Sequence, residues 1–248
     1  LDEADAMIGA CQQAGVLLGV AYQSRTKPIF KHIHAAIQAG DLGNLTLGML
    51  SLPYYRPQSY YDQADWRGTW RMDGGGVLIN QGIHQLDLLV WYFGDPSRIS
   101  ASARTLQRDV EVEDTLSACL EFPAGAQVAI SATTTAVPGF PPRLEIFGSL
   151  GGVQVEGDQQ IRWQLQNPAA AQVGPFEQAI TPDVAAGLPV SAGAGADPRG
   201  ISFTGHIALI RDFTLAIQEN RPPLIDGKEG RRSLAMALGI YQAAGLIQ

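Results

Sequence analysis

The chain has 248 residues, 46% hydrophobic and 17% charged, and a formal net charge of -7. That balance suits a soluble globular protein with room for a full core. An acidic chain without a Lys/Arg cluster lacks a phosphate-tracking stripe, which argues against nucleic-acid binding. Its apolar runs are far too short to span a bilayer. Two cysteines, Cys11 and Cys119, offer neither metal spacing nor a disulfide framework and suit a reducing, cytoplasmic setting.

The first residues, Leu1-Asp2-Glu3-Ala4-Asp5-Ala6-Met7, lack an initiator Met and the basic-then-apolar order of a signal peptide, so the chain is expected to be cut from a larger protein. Met7, Ala10, Cys11 and Ala14 follow helical spacing, with Gly15 as the cap. Val16 to Tyr22 is apolar without alternation, which predicts a strand buried on both faces in a parallel sheet. A helix followed at once by such a strand is a piece of α/β architecture whose partner strands would precede Leu1.

Thr26 is placed to N-cap the next helix, with Pro28 in its first turn and Ile29, Phe30, Ile33 and Ile37 as its buried stripe, ending at Gly40. Leu45 to Tyr55 reads as a strand. A loop holding Tyr54, Tyr55, Tyr60, Tyr61, Trp66 and Trp70 follows, then a helix from about Gly76 to Phe93 that stops at Gly94-Asp95-Pro96. Beyond Arg98 the period becomes two. Strands are predicted over 99–106, 115–122, 126–134, 143–148, 152–156 and 160–166, and the short turns between them favour an antiparallel meander. Residues 167–199, rich in Ala, Gly and Pro, read as irregular. Two amphipathic helices close the chain, the first marked by Ile207, Ile210, Phe213, Thr214 and Ile217, the second by Leu234, Ala237, Leu238 and Tyr241.

The most informative stretch runs from Asp73 through Gly74-Gly75-Gly76 to Asp87. On a regular helix Asn80, His84 and Asp87 would share one face, and polar groups on an apolar helix are costly unless paired or lining a cavity. Gly74-Gly75-Gly76 could cradle an anion at a helix N-terminus, but the dinucleotide spacing and its preceding buried strand are absent, which favours a tight packing turn. His84 is either a satisfied core imidazole or a base that takes a hydroxyl proton while hydride leaves the same carbon. Asp87 either tunes His84 or bonds neighbouring backbone. A metal site would recruit His84, Asp87 and His206, without any familiar ligand spacing. Arg25 follows the predicted buried strand, where ligands gather in α/β sheets. Arg67 and Arg71 flank Trp66 and Trp70; they suit sugar and carboxylate recognition, or else snorkel from a surface loop.

With these landmarks in order the chain resembles the Gfo/Idh/MocA oxidoreductases, the glucose–fructose oxidoreductase and inositol 2-dehydrogenase group. The resemblance rests on Tyr22-Gln23-Ser24-Arg25, Ala39 to Gly43, Trp66 to Arg71, Gly74 through Asp87, Asp212-Phe213 and Arg221-Pro222-Pro223. It implies an NAD(P)-dependent dehydrogenase acting on a hydroxyl of a sugar, polyol or nucleotide-sugar. It implies an α+β fold, an open and mostly antiparallel sheet with helices on one face, preceded by the last helix and strand of a Rossmann-type domain. Residues 1–25 would be that remnant and residues 26–248 the substrate-binding domain, which would associate into homo-oligomers through the other sheet face. The family's catalytic His maps to His84 and its Asp-or-Asn position to Asn80. Arg25, Trp66, Arg67 and Asp87 are expected at the substrate, and Tyr22 and Gln23 at NAD or NADP. The family's Gly-rich fingerprint and Glu-Lys-Pro motif are absent from this sequence, so the chain alone is expected to be inactive. The alternative is a non-catalytic sugar-binding or dimerising module.

Overall fold

A computed structural model describes residues 1–176 and 203–247. Helix α1 (Asp2–Ala14) ends at Gly15, whose left-handed φ of 66° lets its amide return to the carbonyls of Cys11 and Gln12. The predicted strand over 16–22 does not form. Val16 is 57% exposed, and the segment makes one isolated bridge, Gly19 to Asp226. An apolar run becomes a strand only where another strand can pair with it. Here Leu18 and Val20 lie instead on glycines of the last helix, where a Cβ at Gly227 or Gly230 would meet them.

A single 3-10 turn over Gln23–Thr26 leads into α2 (Pro28–Gln38), which buries Ile29, Phe30 and Ile33 as its spacing predicts. Lys27 rather than Thr26 occupies the N-cap, because the Thr26 hydroxyl donates back to the Gln23 carbonyl. Strand β1 (Leu45–Pro53), the short helix α3 (Gln58–Tyr61) and helix α4 (Ile83–Phe93) come next. Strands β2 (Arg98–Arg104), β3 (Thr115–Glu121), β4 (Gln127–Thr133), β5 (Arg143–Gly148), β6 (Gly151–Glu156) and β7 (Gln159–Leu165) match the six predicted segments to within two residues at each end.

The seven strands form one open sheet in the order β2-β3-β4-β1-β5-β6-β7. It is not a simple meander. β1, formed much earlier in the chain, lies between β4 and β5 and runs parallel to β4, while the other neighbours are antiparallel. Turn lengths report only on consecutive strands, so this insertion was invisible to them. Alternation then sorts the faces. Leu50, Leu52, Leu116, Leu120 and Ile130 point into a core closed by α2, α4 and α6 (Gly227–Ala243). Leu47, Met49, Cys119 and Ala129 point the other way and are exposed.

Helix α5 (Thr204–Gln218) departs from its predicted packing. Ile207, Ile210 and Ile217 are 56%, 68% and 59% exposed, and the helix buries only Gly205 and Ala216. Periodicity identifies an apolar stripe but not what covers it. Of the predicted irregular segment, residues 167–176 hold one short 3-10 turn, Pro168–Ala170, and residues 177–199 lie outside the described residues.

Candidate active site

The glycine-rich loop is a packing device. Gly74 and Gly75 have φ of 77° and 156°, backbone that side chains rarely adopt. A Cβ on Gly76 would collide with the Glu113 carbonyl oxygen, and one on Gly75 with the Tyr241 hydroxyl. The amides of Gly76 and Leu78 donate to the buried Glu113 carboxylate at 2.9 and 3.0 Å, and Tyr241 donates to it at 2.8 Å. Burial pushes that carboxyl up, against the pull of these donors. The protein's own carboxylate therefore fills the position that an anion would take at this helix start. Glu113 was missed because it lies 35 or more residues from the amides it caps.

Between that loop and α4 the helix is irregular. Val77–Gln81 is a π-helical turn, closed by the Gly82 amide on the Val77 carbonyl at 2.9 Å, and only then does α4 begin. Gly82 permits this; a Cβ there would lie 2.8 Å from the Leu78 carbonyl oxygen. The continuous helix expected from Gly76 to Phe93 is thus broken between Asn80 and His84, and the single regular face drawn through Asn80, His84 and Asp87 does not hold. Such π turns recur at functional sites. The Asn80 side-chain amide donates to Asp73 at 2.5 Å and accepts from Gln81 at 2.8 Å. Asp73 also accepts from the Gly68 amide at 2.7 Å, tying the aromatic loop to the helix start.

His84 is half-buried, with its ring edge-on to Tyr22 at 6.0 Å between centroids. Its Nδ1 is buried without a hydrogen-bond partner. Desolvation, with smaller contributions from His206 and Lys27, pushes its pKa down to about 4. The imidazole is therefore neutral at physiological pH and can accept a proton. Burial likewise pushes the Tyr22 phenol up to about 12, aided by Asp87.

Arg25 and Asp87 face each other. Arg25 donates to the two Asp87 oxygens at 2.8 and 2.7 Å, with the side chains 3% and 0% exposed. Ser233 of α6 adds a third donor at 2.8 Å, and Glu229 accepts from Arg25 at 2.9 Å. This cluster fastens the Tyr22-Gln23 segment to α4 and α6. Glu229 and Ser233 had no signal in the sequence beyond lying on the last helix. Gln23, next to this clamp, keeps its Oε1 buried without a partner.

The aromatic loop forms a separate cluster. The Arg67 guanidinium lies 4.3 Å from the Tyr60 ring centroid and 4.8 Å from that of Trp66, which is 43% exposed. The predicted residues thus fall into three groups. They are the Arg25–Asp87 clamp, the Tyr22/Gln23/His84 junction beside it, and the Trp66/Arg67 stack, with Asn80 joined to the stack's loop through Asp73. Among the described residues, no group of three or more His, Cys, Asp or Glu side chains is placed to hold a metal ion.

The site thus sits where the helices on one face of an open mixed sheet meet, with the His84 imidazole at their junction. Residues 30–154 match the GFO/IDH/MocA C-terminal domain, and the chain belongs to that family. It is 29% identical over 150 residues to the scyllo-inositol 2-dehydrogenase (NADP(+)) IolW of Bacillus subtilis, covering 59% of this chain and 39% of that protein. It is 26% identical over 165 residues to D-apiose dehydrogenase of Paraburkholderia graminis, covering 65% and 43%. The chain thus spans less than half the length of these relatives. Among solved structures, the WlbA dehydrogenase of Bordetella pertussis, in complex with NADH and UDP-GlcNAcA, superposes with a TM-score of 0.79 at 29% identity, covering 98% of this chain and 66% of that one.

Proposed function

We propose that this chain is the substrate-binding and oligomerisation portion of a longer NAD(P)-dependent dehydrogenase that oxidises a hydroxyl of a sugar, polyol or nucleotide-sugar. The observation that supports this reading is His84, whose buried Nδ1 lacks a hydrogen-bond partner and whose imidazole is kept neutral by burial, at the residue onto which the resemblance carries the family's catalytic His. Relatives of the same family are named for inositol and apiose, and the WlbA complex holds a nucleotide-sugar, which gives the substrate class its breadth.

In this mechanism His84 accepts the hydroxyl proton as the C–O bond becomes a carbonyl, and a bound nicotinamide supplies the hydride acceptor. Tyr22 and Gln23 would hold the cofactor, and the unpartnered Gln23 Oε1 suits a carboxamide donor. Asn80 cannot act as an acid. Its amide orients the substrate or cofactor, and its own orientation is set by Asp73 and Gln81. Trp66 offers an exposed ring for a sugar face, and Arg67 offers a guanidinium for an anionic group. Arg25 and Asp87 contribute by holding the Tyr22-Gln23 segment against α4 rather than by reaching the substrate. Either NAD or NADP suits the reading, since the WlbA structure holds NADH and IolW is named for NADP(+). Residues 1–25 belong, in this account, to the edge of the cofactor domain, and homo-oligomers form through the open sheet face in a cytoplasmic enzyme.

The test sets the chain beside the full-length protein. NADH titration, followed by Trp fluorescence, is expected to show binding by the full-length protein and none by the 248-residue chain. Nicotinamide reduction is expected from the full-length protein on at least one polyol, aldose or UDP-sugar. Tight NADH binding by the chain alone would refute the division of labour. Sugar binding by the full-length protein without turnover on any of these would favour a non-catalytic module.

A further inference from the structure

The stack around Trp66 holds more positive charge than recognition of a neutral sugar requires. Two cations share the Tyr60 ring, with the Arg67 guanidinium 4.3 Å from its centroid and that of Arg56 at 5.7 Å. Arg56, 4% exposed, is also 5.7 Å from the Tyr54 ring, and the guanidinium of Arg108 lies 5.6 Å from that of Tyr55. The Thr134 carbonyl accepts from the Arg56 amide at 2.8 Å and lies 3.5 Å from Arg108 Nη2, so three arginines gather beyond the ends of β1 and β4. The Tyr54 hydroxyl lies 3.5 Å from Gln85 Oε1, one residue along α4 from His84.

A ring face balances the charge of a guanidinium but leaves its five N–H donors to find other partners. Among the described residues the Arg67 side chain makes its two ring contacts and no hydrogen bond, and its Nε is buried. Arg108 Nε is likewise buried without a partner. The carboxylates of the same loops are turned to other donors. Asp114 accepts from the amides of Leu106, Gln107 and Arg108, Glu111 from the Trp70 amide, and Asp62 from Gln58. Orphaned buried donors are uncommon, and each calls for a ligand, a water or strain to explain it.

We propose that Arg67 and Arg108, with the charge of Arg56 beside them, form a subsite for an oxyanion on the substrate, a phosphate ester or a carboxylate. The substrate is then an anionic sugar and not a neutral polyol. This deepens the dehydrogenase reading, on which the turnover arm of the test rests. The Tyr60 and Trp66 rings fix the plane of Arg67 and leave its N–H edge for a forked pair, which suits both kinds of oxyanion. An anion gripped there is remote from the reacting carbon, and its binding energy serves to orient the hydroxyl at His84.

Isothermal titration of the 248-residue chain at low salt, with inorganic pyrophosphate, glucose 1-phosphate, glucuronate and glucose, tests the subsite. At least one of the anions is expected to bind about tenfold tighter than glucose, with an affinity that falls as salt rises. Phosphoryl probes binding above glucuronate would identify a phosphate ester, and the reverse order a carboxylate. Arg67→Met is expected to lower the anion affinity about tenfold or more, and Arg67→Lys to restore only part of it, because a point charge lacks the fork. Arg108→Gln carries the same test if the thermal transition shows that Arg67→Met does not fold. Equal affinity for glucose and all three anions, or an anion affinity unchanged in a folded variant, would overturn the subsite. In the full-length protein, kcat/KM for nicotinamide reduction is expected to be about tenfold higher on an anionic sugar than on glucose or myo-inositol, with Arg67→Met raising KM more than it lowers kcat. Equal kcat/KM on neutral and anionic sugars would overturn the assignment of substrate class. If the wild type shows no nicotinamide turnover, the dehydrogenase reading fails while the titration still decides the subsite.

Discussion

Replacing Asp87 with Ala removes a carboxylate that is 0% exposed and accepts from Arg25 at 2.8 and 2.7 Å and from Ser233 at 2.8 Å. Arg25, 3% exposed, is then left with Glu229, whose side chain is 33% exposed. Removing one partner of a buried pair costs about 3–5 kcal/mol, and the surviving Glu229 contact places this case near about 3 kcal/mol. The paired change Arg25→Met with Asp87→Leu removes both charges and is expected to fall within about 1 kcal/mol of wild type, since apolar replacements of buried ion pairs are often neutral. Urea denaturation of the chain measures both. A cost below about 1 kcal/mol for Asp87→Ala, or a double variant as damaged as the single, would refute the clamp. Kinetics of the full-length protein separates clamp from substrate contact. With Asp87→Asn, the clamp account expects kcat to fall while KM for the sugar stays within about twofold. A rise in KM alone would put the carboxylate on the substrate.

Other consequences are equally open to measurement. Because the folded-state pKa of His84 lies near 4, below the ordinary 6.5, its neutral form contributes stability that is present above pH 6.5 and lost as pH falls through 4. Thermal unfolding from pH 7 to pH 4 should show this loss, at most about 3 kcal/mol, and His84→Gln should flatten it. Gly76→Ala forces a methyl into the Glu113 backbone and should cost about 3 kcal/mol or more in denaturant. Gly74→Ala has open space around it and only a strained φ of 77°, so about 1 kcal/mol is expected; equal costs at the two sites would contradict the packing account. On the open sheet face, Met49 is 43% exposed beside Ala129 and Glu145. Met49→Lys should shift sedimentation of the protein towards the monomer, and an unchanged oligomer would place the interface elsewhere.

The strands were legible because each alternates cleanly, as in Leu116, Ala118 and Leu120 inward against Ser117 and Cys119 outward. Their order was not, because the parallel pairing of β1 with β4 joins residues eighty apart, such as Leu47 and Gln127, beyond what turns encode. The glycines of the Gly74–Asp87 stretch were correctly read as a packing turn. The π turn at Val77–Gln81 was hidden, since it arises from Gly82 lying against Leu52 and the Leu78 carbonyl, which is a tertiary fact. Arg25 and Asp87 stood out as charges in apolar surroundings. Their mutual pairing needed the fold, because the two lie 62 residues apart. The run 16–22 misled for the opposite reason: its composition favours a strand, but the described residues supply only the Asp226 bridge.

The most direct test of the central claim is the activity of His84→Gln in the full-length protein, assayed as nicotinamide reduction on a substrate that the wild type oxidises. If His84 takes the hydroxyl proton, kcat should fall by about 10²–10⁴-fold while the NADH dissociation constant stays within about twofold. Turnover equal to wild type, with the fold intact, would contradict the account and return His84 to the role of a core histidine.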